Sequence, residues 1–191
     1  MRVSKQVMAE NNSKIIKEAA RLFRERGVES TSVNDVMGAA GLTHGGFYRH
    51  FLSKDELVIA AVKKAFKESI DSLKIDMEQQ NAKRAVINFV QQYLSEQHVT
   101  KPGSGCPVAA LAAEADRKSK VLKNALAEGV KQIVNLLAQG IEGTPDEKLE
   151  KATGLLSVLV GTIVLARSAK TKQRRSKVLS SGVRLAELCM N

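Results

Sequence analysis

The sequence of 191 residues contains no tryptophan, three prolines and two cysteines, and aromatic residues make up only 4% of it. Two cysteines are too few for a disulfide framework and favour a reducing compartment. Proline interrupts helices, so its scarcity leaves long stretches free to be helical. Few segments alternate polar and apolar residues with period two, which argues against strands. Together these absences predict an all-α fold.

Hydrophobic runs long enough to span a membrane are also missing. The most apolar stretch, residues 155–166, has 12 residues, whereas a membrane-spanning helix needs about 20. The first 30 residues contain no apolar core of the kind that signal peptides carry. We therefore expect a cytoplasmic protein with no membrane partner.

Catalytic motifs are equally scarce. The three histidines are His44, His50 and His98, and none has a partner at the spacing of a metal site or a catalytic pair. The sequence also lacks a glycine-rich phosphate loop and a nucleophile elbow. These absences predict a protein that is not an enzyme and that holds no metal and no cofactor.

Positive charge is abundant, with 30 Lys and Arg residues against 20 Asp and Glu and a net charge of +10. This surplus indicates a polyanionic partner, although charge alone does not choose between nucleic acid and a membrane surface. The hydrophobic share of 43% is typical of a globular protein, so a packed core is expected.

Helical periodicity and capping signals predict about nine helices. The first is expected over residues 13–26, with Ser13 as its N-cap and Gly27 as its stop. Short helices at 32–40 and 43–51 flank a turn at Gly41, and a capping box at 53–56 begins a long helix to about residue 80. Further helices are predicted at 82–97, at 106–142 with a break near 116–119, at 147–167 and at 174–190, with a loop at 101–105.

Residues 32–51 have the lengths of the support helix, turn and recognition helix of a helix-turn-helix unit. Phe47 and Phe51 lie four residues apart and define the inward face of the third helix. The outward side chains, which can donate to phosphates or reach base edges, are Thr43, His44, Tyr48 and Arg49, with His50 beside them.

Gly45 and Gly46 are unexpected in so short a helix, because each costs about 1 kcal/mol relative to alanine. A helix that must approach a sugar-phosphate backbone closely would explain them. The alternative is that they relax a tight turn.

The residues from Gly41 to Leu57 read GLTHGGFYRHFLSKDEL, and this pattern resembles the helix-turn-helix of the tetracycline-repressor (TetR) family of transcriptional regulators. Residues 19–23 and 26–33 also resemble that family's first helix and the entry to its second. Gly46 departs from the pattern, since the family often has a larger residue there.

The resemblance implies a DNA-binding domain over residues 1–52 and a larger effector-sensing and dimerisation domain over residues 53–191. It implies phosphate contacts from Thr43, Tyr48, His50 and Lys54, with Thr31 or Ser32 adding one from the start of the second helix. By the same resemblance His44, Gly45 and Arg49 lie nearest to the base edges. The alternatives are a packed histidine at His50 and an ordinary solvated lysine at Lys54.

Members of the family usually form homodimers by pairing their last two helices, and a two-fold dimer fits a pseudo-palindromic DNA operator. Residues 147–167 carry apolar side chains on more than one face, which is more than a surface helix needs. The interface candidates are Leu156, Leu159, Ile163, Val178, Gly182 and Leu185. The alternative is that these residues form the core of a monomer.

The resemblance also implies a pocket for a small-molecule effector between residues 57 and 142. Its candidates are Phe66, Phe89, Tyr93, Val108 and Leu111, although plain core is the better interpretation of each residue taken singly. Cys106 lies at a helix start, where exposed amides and the helix dipole favour the reactive thiolate. The phrase GCPVAALA around it resembles family members that sense electrophiles or oxidants, and the alternative is a small residue lining a helix start.

Six basic residues lie between positions 167 and 177 with no acidic residue among them: Arg167, Lys170, Lys172, Arg174, Arg175 and Lys177. A solvated loop between helices is the plain interpretation, and extra attraction for DNA or for an acidic partner is the alternative.

The sequence therefore predicts a ligand- or redox-responsive DNA-binding regulator, most simply a homodimeric repressor released from its operator by a small effector in the C-terminal domain. Activation instead of repression stays open. The alternative class is a helical scaffold or protein-interaction module that does not bind DNA, and an enzyme is less favoured.

Overall fold

The computed structural model describes residues 5–190, apart from the side chain of Lys118. Within that range the chain forms α-helices and short 3-10 helices and no strand, so the predicted all-α fold is confirmed. The α-helices are α1 (Lys5–Arg26), α2 (Val33–Ala39), α3 (Lys54–Gln79), α4 (Ala82–Tyr93), α5 (Glu96–Thr100), α6 (Pro107–Lys118), α7 (Lys120–Leu137), α8 (Pro145–Ser168) and α9 (Lys172–Met190). The 3-10 helices are His44–Arg49, Pro102–Ser104 and Ala138–Gly140.

Helix α1 begins at Lys5, so the predicted start at Ser13 is wrong. No glycine or proline interrupts residues 5–12, and the Gln6 amide donates to the Glu10 carboxylate across one turn, at 3.2 Å. The helix ends where expected, because Gly27 takes a left-handed φ of 86° that glycine adopts without strain.

The helix predicted at 82–97 is divided into α4 and α5. Leu94 leaves the helical conformation, and the Ser95 hydroxyl accepts from the His98 N–H to start α5. A capping serine starts a helix as readily as it lies within one, so the apolar pattern hid this break. The interruption at Ser119 and the capping box of Thr144 with Glu147 are as predicted.

A hydrophobic core runs through the molecule. We call residues 5–53 the head and helices α3–α9 the body; residues 1–4 and Asn191, at the ends of the two predicted domains, lie outside the described residues. The head closes around Phe23, Val36 and Phe47. Helix α1 also packs against α3, α6 and the Pro102–Ser104 turn, so this one helix belongs to the head and contacts the body.

Helix α8 is long and apolar enough, by length and composition alone, to cross a membrane. The expectation that no such helix exists is therefore wrong, because the apolar character extends beyond residues 155–166. Its side chains nevertheless pack against the rest of the chain, with Ala152, Leu155, Leu156, Leu159, Thr162, Ile163 and Ala166 all buried. Core helices of globular proteins show this combination of length and burial.

Candidate functional site

Helix α2 is held by a capping box at its start. The Ser32 hydroxyl accepts from the Asp35 N–H at 3.1 Å, and the Asp35 carboxylate accepts from the Ser32 N–H at 2.8 Å. The hydrogen bonds from Ser32 lower the pKa of Asp35. Gly41 follows the helix with φ 71°, the left-handed conformation that turns the chain toward the next element. This turn sets the direction of residues 44–49, which we call the recognition segment.

The recognition segment is a 3-10 helix rather than the predicted α-helix. Phe47 and Phe51 are buried as predicted and stack with ring centroids 5.7 Å apart. Tyr48 is 68% exposed, and its ring packs edge-on against Phe47 at 5.3 Å and His44 at 6.5 Å. The exposed residues of this surface include Ser32, Thr43, His44, Gly45, Tyr48 and Arg49. The core therefore fixes the segment from inside and leaves its polar face open.

Packing within the chain does not require either glycine of the segment. A Cβ at Gly45 would meet nothing within 4 Å, and at Gly46 the nearest atom, Cε of Met37, would be 3.6 Å away. Two adjacent glycines disfavour a regular α-helix, and the segment forms a short 3-10 helix. Their missing side chains leave backbone exposed beside Tyr48 and Arg49.

Three of the residues predicted to contact phosphates are buried, half-buried or already bonded within the chain. Thr31 is fully buried and its hydroxyl donates to the Gly27 carbonyl at 2.7 Å, so a direct DNA contact by Thr31 is wrong. The Lys54 ammonium donates to the Val28 carbonyl at 2.7 Å, which ties α3 to the end of α1. His50 is half-buried and lines a crevice with Met8 of α1.

The body contains a cavity of about 490 Å³, which we call the central cavity. Phe89, Tyr93 and Cys106 line it, so the structure brings these three predicted residues together. The other lining residues are Ala65, Glu68, Ser69, Ser72, Gln92, Ser95, Gln97, His98, Ser104 and Gly105. The lining combines apolar surface with hydroxyl and amide groups, so the cavity suits a partly apolar ligand that also forms hydrogen bonds.

Two predicted cavity residues lie elsewhere. Leu111 is buried in the core. Phe66 lines a separate cavity of about 330 Å³ between α3 and α7, where its ring lies against Gly129 so closely that an added Cβ would be 2.1 Å away. The predicted effector-pocket residues are therefore divided between two cavities and the core, since helical periodicity does not reveal which neighbouring helix a buried side chain meets.

The peptide group between Gly105 and Cys106 is bonded at both ends. Its carbonyl oxygen accepts from Nη1 of Arg24 in α1 at 2.9 Å, and its N–H donates to Nε2 of His98 at 2.8 Å. Gly105 is necessary here, because an added Cβ would lie 2.5 Å from Cδ2 of His98. The end of the central cavity is thus attached to the head by one buried hydrogen bond.

His98 acts in this arrangement as a neutral imidazole. Nδ1 donates to the Tyr93 carbonyl at 2.7 Å, and Nε2 must stay unprotonated to accept from the Cys106 N–H. Burial lowers the pKa of His98, the hydrogen bond to Tyr93 opposes this, and the charges of Arg167 and Arg24 lower it further. No sequence motif reveals this role of His98, because its partners are backbone groups.

Two arginines and an unpaired hydroxyl surround Cys106. Arg24 and Arg167 both interact electrostatically with its thiol, and Arg167 also donates to the His98 carbonyl at 3.1 Å. The Tyr93 hydroxyl is buried without a hydrogen-bond partner among the described residues. Burial raises the pKa of Tyr93 well above its ordinary value and the neighbouring Cys106 thiol raises it further, so the group is a neutral donor that lies beside the thiol without a well-formed hydrogen bond to it. A ligand in the cavity can satisfy this donor.

The chain matches the sequence model for bacterial regulatory proteins of the tetR family over residues 15–61. It also matches the model for the C-terminal domain of LmrA/YxaF-like transcriptional regulators over residues 80–176, just over half of its length. The chain belongs to the TetR family.

Full-length relatives support the assignment. The chain is 27% identical over 167 residues to the HTH-type transcriptional regulator LmrA of Bacillus subtilis, covering 84% of this chain and 88% of LmrA. It is 24% identical over 164 residues to the HTH-type transcriptional repressor NemR of Escherichia coli, covering 79% and 81%. As a TetR-family protein, the chain is a DNA-binding transcriptional regulator.

Solved structures share this TetR fold. The reduced form of Escherichia coli NemR aligns with a TM-score of 0.75 at 19% identity, covering 91% of this chain and 95% of NemR. A TetR-family regulator from Cytophaga hutchinsonii aligns with a TM-score of 0.76 at 24% identity, covering 98% and 97%.

Most of the residues predicted for a TetR-type dimer interface are buried in the single protomer. Leu156, Leu159 and Ile163 are buried within the protomer, and Gly182 packs so tightly on Thr162 that an added Cβ would lie 2.4 Å from it. These four positions are therefore packed within the single protomer. The large apolar side chains that remain exposed on α8 and α9 are Leu149, Val164, Leu165, Leu185 and Leu188, and Val178 is half-buried.

The basic run at 167–177 is divided between the interior and solvent. Arg167 is half-buried against His98, and half-buried Arg175 pairs with Glu96 of α5. The exposed cations are Lys170, Lys172, Arg174 and Lys177. A purely solvated loop is therefore wrong for the two inward arginines, which pack the α8–α9 end against α5.

We expect the substitution His98→Gln to flatten the pH dependence of stability. The folded protein holds the pKa of His98 below its ordinary 6.5, so the unfolded chain binds the extra proton first as pH falls. Stability is then fully present above pH 6.5 and declines below it. Glutamine offers an acceptor for the Cys106 N–H but does not titrate.

Thermal unfolding followed by circular dichroism at about pH 7.5 and about pH 5.5 measures this. The wild-type midpoint should fall more than that of His98→Gln, since both share every other titrating group. An equal fall in both proteins contradicts the role given to His98.

Proposed function

We propose that this TetR-family regulator is a cytoplasmic homodimeric repressor that leaves a pseudo-palindromic operator when the central cavity is occupied or Cys106 is modified. One observation carries the proposal: the cavity wall at Gly105 is hydrogen-bonded to α1 of the head, at 2.9 Å from Arg24. Occupancy of the body and DNA affinity of the head can therefore depend on each other.

The exposed face of the recognition segment supplies the DNA contacts. Tyr48 and Thr43 offer hydroxyl donors for phosphates, and His44 and Arg49 can reach base edges. The Ser32 hydroxyl already donates to the Asp35 carboxylate, so Ser32 contributes a phosphate contact only if that bond is exchanged. The bare backbone at Gly45 lets the segment approach the duplex closely. His50 and Lys54 are placed to assist, with Lys54 keeping further N–H donors beyond the one used on Val28.

The exposed leucines of α8 and α9 form the dimer interface in this proposal. Leu165 is 61% exposed and Leu188 is 71% exposed in the single protomer, and both lie on helices whose opposite faces are buried. Gly161, where an added Cβ meets nothing within 4 Å, leaves room beside them for a partner helix to approach.

Cys106 is the reactive group of the cavity in this proposal. An electrophilic alkene conjugated to a carbonyl enters the cavity and accepts the thiolate, so that an S–C bond forms and the π electrons move to the neighbouring carbon. That carbon takes a proton from solvent, and no oxidant is needed. The unpaired Tyr93 hydroxyl donates to the carbonyl oxygen, and non-covalent effectors use the same donor.

The Tyr48→Ala variant should bind operator DNA at least about tenfold more weakly, because a hydrogen bond to a charged phosphate is lost together with the ring contact. A duplex selected by the wild-type protein from a random-sequence pool serves as operator, and fluorescence anisotropy measures the Kd. Tyr48→Phe, which keeps the ring, should lose less. Unchanged affinity in Tyr48→Ala removes this residue from the interface, as does a loss of the dimer in sedimentation.

Replacing Leu165 and Leu188 by glutamate should convert the dimer to monomer, because each buried leucine contributes about 1.5–3 kcal/mol that a charge cannot. Sedimentation velocity measures the change, and affinity for the selected duplex should fall with it. Ile75→Glu is the control, since Ile75 is comparably exposed on α3. A dimer that survives both glutamates places the interface elsewhere.

Treatment with N-ethylmaleimide should release wild-type protein and Cys189→Ser from the selected duplex but leave Cys106→Ser bound. The chain has only these two cysteines, so the pair of variants assigns the effect to one thiol. Release of Cys106→Ser to the same extent as wild type defeats the thiol-sensing part of the proposal and leaves the DNA-binding part standing.

A further inference from the structure

We propose that Arg24 is the positioning residue through which the orientation of the Gly105–Cys106 peptide group sets the operator affinity of the head. The inference rests on the proposed function and names the contact by which the central cavity regulates the DNA-binding surface. Its basis is one planar peptide group that is bonded to the head on one side and to the cavity wall on the other.

Peptide planarity makes the two bonds interdependent. The carbonyl oxygen of Gly105 and the N–H of Cys106 belong to one rigid unit and point in opposite directions. Arg24 donates to the oxygen and His98 accepts from the N–H. A rotation of this unit therefore breaks both bonds at once. A bulky group on Cys106 or a ligand pressed against the cavity wall would require such a rotation.

Burial makes Arg24 sensitive to the loss of its partner. The residue is only 8% exposed, its Nε donates to Ala20 within α1 at 2.8 Å, and its nearest carboxylate, Glu68, lies 3.8 Å away. A buried guanidinium that loses the Gly105 carbonyl cannot exchange it for water without opening the packing around it. The structure can relieve this cost only by moving α1 relative to the body.

Helix α1 passes such a movement directly to the DNA-binding surface. Its residues Ala20 and Phe23, which precede Arg24 within the last turns of the helix, belong to the same core as Phe47 of the recognition segment. Displacement of α1 in each protomer changes the separation of the two recognition segments in a dimer, and a fixed operator tolerates only one separation.

A second contact between body and head offers an alternative route. The Glu114 carboxylate of α6 accepts from the Val28 and Glu29 N–H groups at 3.0 and 2.7 Å. This contact lies two turns along α6 from Cys106 and does not involve the peptide group. A role for Arg24 therefore has to be separated from a role for Glu114.

A double-mutant cycle of Arg24→Met and His98→Ala tests the inference without any thiol chemistry. His98→Ala frees the Cys106 N–H and so releases the peptide from the other side. Each single variant should weaken binding to the selected duplex about tenfold, and the double variant should bind like Arg24→Met alone. Independent losses, which multiply to about a hundredfold, overturn the proposal.

Three controls keep the result interpretable. Arg24→Lys retains the charge and a donor and should recover part of the affinity, while Arg21→Met removes an α1 arginine whose ion pairs stay within the helix, with Glu18 and Glu25. Affinity for an unselected duplex should stay the same. A general loss of folding would instead lower the affinity for every duplex. Full affinity in both Arg24→Lys and Arg24→Met overturns the proposal and leaves the contacts of Glu114 and Lys54 with the end of α1 to carry the coupling.

Maleimide treatment of the Cys189→Ser background separates this inference from the proposed function. If the background protein releases DNA and Arg24→Met in that background shows less than about threefold further loss, both stand. If alkylation weakens the two proteins by the same factor, the Arg24 proposal fails and thiol sensing survives. If the background protein keeps its DNA after alkylation, thiol sensing fails, and the His98 cycle alone decides the role of Arg24.

Discussion

A charged guanidinium buried between two parts of a protein has to keep its hydrogen-bond partners in every stable state. Arg24 is such a group: its partners are its own helix, the Gly105 carbonyl and, more distantly, Glu68. The head therefore cannot take an arbitrary position on the body, because most positions leave this charge without an acceptor. Burial lowers the pKa of Arg24, and the charge of Glu68 opposes the shift. The fold thus has few arrangements of head and body, which is what a switch between two states requires.

Local chemistry accounts for the features that the sequence predicts well. Gly27 and Gly41 mark turns because their left-handed φ values are strained for other residues, and Thr144 with Glu147 marks a helix start because their side chains satisfy each other's backbone donors. Such signals act within a few residues and survive in any tertiary context. The start of α1 shows their limit. Ser13 is a good cap, but nothing before it stops a helix, and the helix continues to Lys5.

Non-local packing decided the features that could not be predicted. Leu159 and Leu165 are chemically equivalent and six residues apart, yet one is fully buried and the other largely exposed. Their difference in burial depends on where α9 and the core lie around α8. A helix that is apolar on several faces does not show in its sequence which of those faces will be covered. The same holds for His98. Its partners are the Tyr93 carbonyl and the Cys106 N–H, which are backbone groups brought within reach by the break at Ser95.

The recognition segment combines weak local structure with strong anchoring. Gly45 and Gly46 reduce the intrinsic stability of any helix there, so its order depends on Phe47 and Phe51 in the core. A long, stable α-helix would present its side chains rigidly but would hold the duplex at the distance set by its Cβ atoms. A short 3-10 turn anchored by two phenylalanines allows the backbone itself to approach the phosphates. Because its position follows the core around Phe23 in α1, a movement of that helix displaces the segment, and DNA affinity becomes sensitive to a contact on the far side of the head.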